Sequence, residues 1–357
     1  MERFAVSVGE DALADLHRRL DATRWPDEAP DAIPEHGFGL QRARELAAYW
    51  RDGYDWRAAE AVLNGFEQHV GDGGVHFMTP SSPTPGPPLV LLHGWPSSVW
   101  EFVRIAPLLA EHARVIVPSL PGYTFSFTPG GKRASIVDCA DGIHGLMTEL
   151  GHERYHVAGG DWGASIAVRL AHAYPEAVEA LHLYMMPLRL PQSWPDSEGA
   201  SREELKRWMS EEGGYIQIQG TRPQTLAYGL SDSPVGLMSW IGEKFERWTD
   251  ARGVPDDDLL TTVMIYWITG CIGSSFWPYW ARKHGDWVLD EVVAAGGRIA
   301  APLTYLDFPK ELVHVPRAVV ELAFDIARWE TPGYGGHFPA LEATDVLADS
   351  LRRFVRS

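Results

Sequence analysis

Cysteine is nearly absent: Cys139 and Cys271 are the only two in 357 residues. Two thiols cannot build a disulfide framework or a thiolate zinc site, and each sits in a helical-looking context, so both are expected to be reduced core residues. Basic residues are also scarce, 31 Lys and Arg against 48 Asp and Glu for a net charge of −17, and no basic run interrupts the deficit. Nucleic acid and anionic membrane are therefore poor partners. Met1 to Glu10 alternates apolar and polar residues and lacks the apolar stretch of a secretory signal or membrane anchor, which predicts a soluble, cytoplasmic protein. The chain also lacks internal repeats and low-complexity tracts.

Aromatic residues, by contrast, are plentiful, with 15 Trp in a composition otherwise ordinary for a globular enzyme at 45% hydrophobic and 22% charged. Such side chains suit a large core or an apolar pocket. The length predicts one large core with an elaboration built onto or into it. Residues 1–84 read as a mostly helical segment, with Leu13, Leu16 and Leu20 at helical spacing before Trp25-Pro26 and a second helix over Leu40 to Trp50. Ser81-Ser82-Pro83-Thr84-Pro85-Gly86-Pro87-Pro88 cannot continue a helix, so the core is expected to begin near residue 85.

Leu89-Val90-Leu91-Leu92 is a short apolar run between Pro88 and Gly94, the pattern of a strand buried on both faces of a parallel sheet. Val115 to Val117, Tyr155 to Ala158, Ala180 to Met186 and Leu303 to Phe308 repeat it, with helical segments between several of them. This alternation predicts an α/β fold with a mostly parallel, doubly wound sheet. An aromatic-rich, largely helical stretch over 187–297 interrupts the alternation and reads as a cap inserted over the strand ends, where ligands bind in open α/β sheets. The core then divides into 85–186 and 298–357.

The sharpest local motif is Val157-Ala158-Gly159-Gly160-Asp161-Trp162-Gly163-Ala164, between a predicted strand and a helix running to Tyr174. It has the layout of a nucleophile elbow, in which small residues flank a side chain held on a tight turn. Asp161 stands where esterases carry Ser. A carboxylate is ionised near neutral pH and displaces at an sp3 carbon to leave an ester, which suits epoxides and alkyl halides. The bland alternative for Asp161 is a helix N-cap.

His93-Gly94-Trp95-Pro96 follows the first buried strand, the position of a second oxyanion-hole amide in α/β hydrolases. The backbone N–H groups of Trp95 and Trp162 are expected to converge on an ester oxyanion, with His93 and Pro96 beside the substrate. His337, in Gly335-Gly336-His337-Phe338, is the expected general base, since the order Asp, acid, His is that of this fold's triads. Asp307, at the end of the Leu303 to Phe308 strand, and Glu311, just after it, are the candidates for the orienting acid, and periodicity does not choose between them.

Taken together these motifs resemble the epoxide hydrolase family of the microsomal type, which includes juvenile hormone and fungal soluble members. The resemblance spans nearly the whole chain and is carried most specifically by Arg19-Leu20, Thr23-Arg24-Trp25-Pro26-Asp27, Tyr49-Trp50, Tyr54-Asp55-Trp56-Arg57 and Leu63-Asn64-Gly65-Phe66. It implies an α/β-hydrolase fold with a helical cap. Phe308-Pro309-Lys310-Glu311-Leu312 is similar to the family's acid motif, which implies Glu311 as the acid. Two cap tyrosines that bind the epoxide oxygen are implied at Tyr215, in Gly213-Gly214-Tyr215-Ile216-Gln217, and at Tyr279, after Tyr266-Trp267 and Ser274-Ser275. Phenols suit the task, because an epoxide opened without proton donation expels a strongly basic alkoxide.

The expected function is conversion of an epoxide and water to a vicinal diol through an Asp161 ester, without metal or organic cofactor. An aromatic-rich cap, with Trp277 as a substrate contact, predicts an apolar or aromatic substrate. No membrane anchor like that of microsomal members is expected, and a homodimer is one assembly open to the chain. Two rivals remain: a haloalkane dehalogenase, which shares the Asp nucleophile, and a non-catalytic scaffold binding a hydrophobic ligand. The composition of the helices, rich in Ala and Arg, suggests a bacterial source.

Overall fold

The computed structural model describes residues 1–81, 86–188, 194 and 198–356. Among the described residues nine strands form one sheet: β1 (Glu2–Arg3), β2 (Glu67–Val70), β3 (His76–Thr79), β4 (Pro88–Leu92), β5 (Arg114–Pro118), β6 (Tyr155–Gly159), β7 (Val178–Leu183), β8 (Leu303–Leu306) and β9 (Ile326–Glu330). Their order is β1-β2-β3-β5-β4-β6-β7-β8-β9. From β5 to β9 every pairing is parallel. Leu89 to Leu92 of β4 and Val157 to Gly159 of β6 are buried, as strands covered on both faces must be.

The first three strands pair antiparallel, and β3 joins β5 antiparallel as well. This edge departs from the helical reading of the first eighty residues. Strands β2 and β3 have four residues each, too short for a clear alternation, and the Gly71-Asp72-Gly73-Gly74 turn joins them. Helices do occupy Glu10–Asp21, Leu40–Asp52 and Trp56–Asn64. The expected division at 84/85 falls within 82–85, outside the described residues. Cys139 and Cys271 are both free and buried.

Among the described residues, eight helices lie between β7 and β8 in place of the sheet alternation, from Gly199–Glu211 to Leu289–Ala294. Residues 189–193 and 195–197, at the start of this insertion, lie outside the described residues. The cap is anchored to the loop after β4: Tyr266 Oη donates to the Ser97 carbonyl at 2.9 Å and Trp100 Nε1 donates to Asp258 at 2.9 Å. The amino-terminal segment grips the cap from outside. Arg42 binds Asp256 at 3.0 Å, Tyr54 pairs with the Thr261 hydroxyl at 2.8 Å, and Arg19 reaches Asp232 at 2.9 Å. That segment therefore sets where the cap sits over the sheet. Among the described residues no single helix is long and apolar enough to cross a membrane, and no group of three or more His, Cys, Asp or Glu is arranged to hold a metal ion.

Candidate active site

Strand β6 ends at Gly159, and the helix Asp161–Ala173 starts two residues later. Asp161 has φ of 47°, the left-handed region that costs an L residue with a side chain roughly 1–3 kcal/mol and is tolerated where the surroundings hold it. This strain separates a nucleophile elbow from an ordinary N-cap, whose backbone is extended. The turn also needs close chain approach, since a Cβ at Gly163 would overlap the Leu92 carbonyl oxygen at the end of β4.

The Trp95 N–H donates to Asp161 Oδ1 at 2.8 Å. The Trp162 N–H follows in the first turn of the helix, where no intrahelical carbonyl is available to it. On the other side, His337 Nε2 stands 3.7 Å from Asp161 Oδ2. His337 Nδ1 is 2.8 Å from Glu311 Oε1, with both side chains almost wholly buried. Glu311 Oε1 also accepts the Leu312 N–H at 2.6 Å, while Oε2 is buried without a hydrogen-bond partner among the described residues. Asp307 is occupied elsewhere, 2.8 Å from His314 Nδ1. The choice that spacing left open is thus made by direction: the two acids face different imidazoles.

The His337 loop depends on Gly335, whose φ is 106° and where a Cβ would lie 2.5 Å from the Phe308 ring. Burial pushes the His337 imidazole down, but the charge and hydrogen bond of Glu311, then the charges of Asp161 and Glu101, outweigh it. The imidazole consequently lies above its ordinary value.

Above Asp161 a cavity of about 560 Å³ is lined at its base by Asp161, Trp162, Tyr215 and Tyr279. Tyr215 comes from the helix Gly214–Thr221 and Tyr279 from the helix Trp277–Lys283. Their rings meet edge to face at 5.8 Å. Tyr215 stacks on Trp95 at 5.4 Å, and Tyr279 packs edge-on to Trp162 at 4.7 Å. Tryptophans on either side of the nucleophile therefore brace the two phenols. Burial, with Tyr215 and the Asp161 charge adding to it, raises the Tyr279 phenol well above its usual value, so it remains protonated.

Three other expected contacts lie elsewhere. His93 is fully buried, with Nδ1 3.0 Å from the Gly94 carbonyl and Nε2 accepting the Leu120 N–H at 3.2 Å, so it holds loop backbone. Pro96 is buried in the same loop and does not line the cavity. Trp277 is also outside the lining and stacks on Trp280 at 4.5 Å. It lies two residues before Tyr279 in the same helix, about 200° around the axis from it, in a packing role indistinguishable in sequence from a pocket wall.

Glu101 is the group that sequence reasoning missed. It is buried, and Tyr184 Oη donates to its Oε1 at 3.3 Å. Burial pushes its carboxyl up to about 7, against the Ser97 hydroxyl, the His337 charge and the Tyr184 hydroxyl. A lone acid within Val99-Trp100-Glu101-Phe102-Val103 was the available signal.

Residues 1–102 match the family model for the epoxide hydrolase N terminus, and residues 87–212 match that for the alpha/beta hydrolase fold. A putative epoxide hydrolase of Stigmatella aurantiaca is 37% identical, over 99% of this chain and 84% of its own length. Epoxide hydrolase 1 of Sus scrofa is 31% identical, over 99% and 88% respectively. Among solved structures, an enantioselective mutant of the epoxide hydrolase from Aspergillus niger superposes with a TM-score of 0.89 at 30% identity, covering 99% of this chain and 96% of that one. The architecture is the α/β-hydrolase fold.

Proposed function

The chain belongs to the epoxide hydrolase family, and we propose from that premise that it converts an epoxide and water to a vicinal diol through a covalent ester on Asp161. The observation that carries the reading is a strained carboxylate, bound by an amide donor and faced by a buried His–Glu pair, at the base of a cavity that two phenols also line. Phenols are the feature that separates this chemistry from halide displacement, whose leaving group needs no proton.

Asp161 Oδ1 is held by the Trp95 amide, which leaves Oδ2 as the attacking atom. Oδ2 bonds to an epoxide carbon, the C–O bond breaks, and Tyr215 and Tyr279 donate to the departing oxygen. Esterification removes the Asp161 charge, one of the charges that raise His337. The imidazole thereby becomes easier to deprotonate when a base is needed. Neutral His337 takes a proton from water, and the hydroxide adds to Asp161 Cγ. The Trp95 and Trp162 amides receive the oxyanion, and Glu311 stabilises the imidazolium. Collapse breaks the ester C–O bond; the departing alkoxide takes the proton of the added hydroxyl, the proton held by His337 passes to the oxygen freed by ring opening, and the diol leaves a carboxylate at Asp161 and a neutral imidazole. The apolar residues of the cavity, including Met185, Leu205, Met209 and Ile216, support an apolar or aromatic substrate body.

Two variants test this directly. Asp161→Asn is expected to abolish diol formation across an epoxide panel; undiminished turnover, with deamidation back to Asp ruled out by mass, would refute the ester. His337→Gln is expected to accumulate protein heavier by the mass of one epoxide. Substrate consumption without that adduct would mean direct attack by water.

A further inference from the structure

A chain with 48 acidic against 31 basic residues offers mostly acidic surface. The lining of the cavity over Asp161 reverses that balance: Lys206, Arg282 and Lys283 are in it, and Asp161 is its single carboxylate among the described residues. Building on the epoxide reading above, we propose that this cationic mouth selects epoxides with an apolar body and a terminal anionic group, such as a carboxylate, several carbons from the ring.

The lining is ordered from base to mouth. Asp161 is partly buried and Tyr215 and Tyr279 are buried, whereas Lys206, Gln217 and Lys283 are exposed, so the exposed members mark the opening. Apolar side chains of Leu205, Met209 and Ile216 complete the wall.

Both phenol-bearing helices supply the mouth. Lys283 follows Tyr279 by one helical turn, about 6 Å along the axis, and its Nζ donates to Gln217 Oε1 at 2.6 Å. Gln217 in turn lies two residues after Tyr215. A neutral amide thus holds this ammonium at the rim without neutralising it. Arg282 is half-buried, its guanidinium 5.9 Å from the centre of the Trp162 ring. Lys206 approaches from the helix Gly199–Glu211, paired with Glu203 at 2.7 Å, both side chains being largely exposed. Such a surface pair contributes little and exchanges readily for another anion. The helix dipole favours cations at the end of Trp277–Lys283, but it accounts for neither Lys206 nor the convergence on one cavity. A ligand complementary to this sequence of surfaces carries an oxirane, an apolar stretch and a negative charge, in that order.

The test is kcat/KM for 7,8-epoxyoctanoate, its methyl ester and 1,2-epoxyoctane. The acid is expected to exceed the ester by about tenfold or more, as a charge-assisted hydrogen bond provides, with the advantage shrinking as salt rises. Lys283→Glu is expected to reverse the acid-to-ester ratio, and Lys283→Met to reduce it. Lys283 is exposed, so neither change threatens folding. Octanoate should likewise inhibit 1,2-epoxyoctane turnover more strongly than octanol does. Turnover of the neutral epoxides with no gain for the acid, or a gain indifferent to salt and to Lys283→Glu, overturns the inference and leaves the epoxide chemistry standing. Turnover of no epoxide overturns both.

Discussion

Glu311→Gln isolates the second half of the proposed reaction. In the native site Glu311 Oε1 lies 2.8 Å from His337 Nδ1, and neither side chain meets solvent. During ester hydrolysis His337 becomes an imidazolium. With charge centres about 4 Å apart and an effective dielectric constant of about 20, the Glu311 charge stabilises that ion by about 4 kcal/mol, a ceiling of roughly a thousandfold in rate at about 1.4 kcal/mol per tenfold. Gln keeps the volume and an oxygen able to accept from His337 and Leu312, so orientation survives and charge is what is lost. Its new amide NH2 takes the place of Oε2, which has no partner among the described residues; leaving it buried and unpaired costs about 1–3 kcal/mol of stability. The expected outcome is a fall of about 10² to 10³ in the ester hydrolysis rate, with alkylation of Asp161 changed by no more than about threefold. Rapid-quench single turnovers with intact-protein mass spectrometry resolve the two steps, and the variant should accumulate ester. An unchanged hydrolysis rate, or alkylation slowed as much as hydrolysis, would refute the role assigned to the charge.

Tyr279→Phe is expected to slow alkylation by about 10- to 100-fold while leaving ester hydrolysis within about threefold, because the phenol acts on the epoxide oxygen; equal slowing of both steps in the same single-turnover assay contradicts this. Ester hydrolysis requires neutral His337, so its rate rises with pH through the imidazole value of the ester enzyme, which lies below that of the resting enzyme because the Asp161 charge is gone. Ionised Glu101 helps to raise that value, and Glu101→Gln is therefore expected to move the rising limb to lower pH; a limb that stays in place or moves up excludes the coupling. Asp258→Ala leaves the Trp100 indole N–H buried without its acceptor and frees Arg104, which is 44% exposed and contributes little by itself. A loss of about 2–3 kcal/mol is expected in urea unfolding, and a change below about 0.5 kcal/mol would show that this anchor between cap and core is dispensable.

Local sequence determined those parts whose physics is local. A buried parallel strand reads as an uninterrupted apolar run, so β4, β5 and β6 were legible to within a residue at either end. The elbow was legible because a tight turn from strand to helix admits only small neighbours around Asp161. Chain order and a glycine-flanked loop sufficed to put forward His337. What depends on direction was not legible. Asp307 and Glu311 are four residues apart with the same chemistry, and only the path of the chain after β8 turns one toward His314 and the other toward His337. His93 and Trp277 carry pocket-like chemistry but satisfy backbone and neighbouring rings instead. Glu101 acquires its proximity to the His337 charge through packing alone. The cationic mouth is likewise assembled from the neighbouring helices Gly199–Glu211 and Gly214–Thr221 together with Trp277–Lys283, which lies far along the chain from both. Residue identity fixes what each group is able to do, whereas burial and orientation, which exist only after the chain has packed, decide which of them meet.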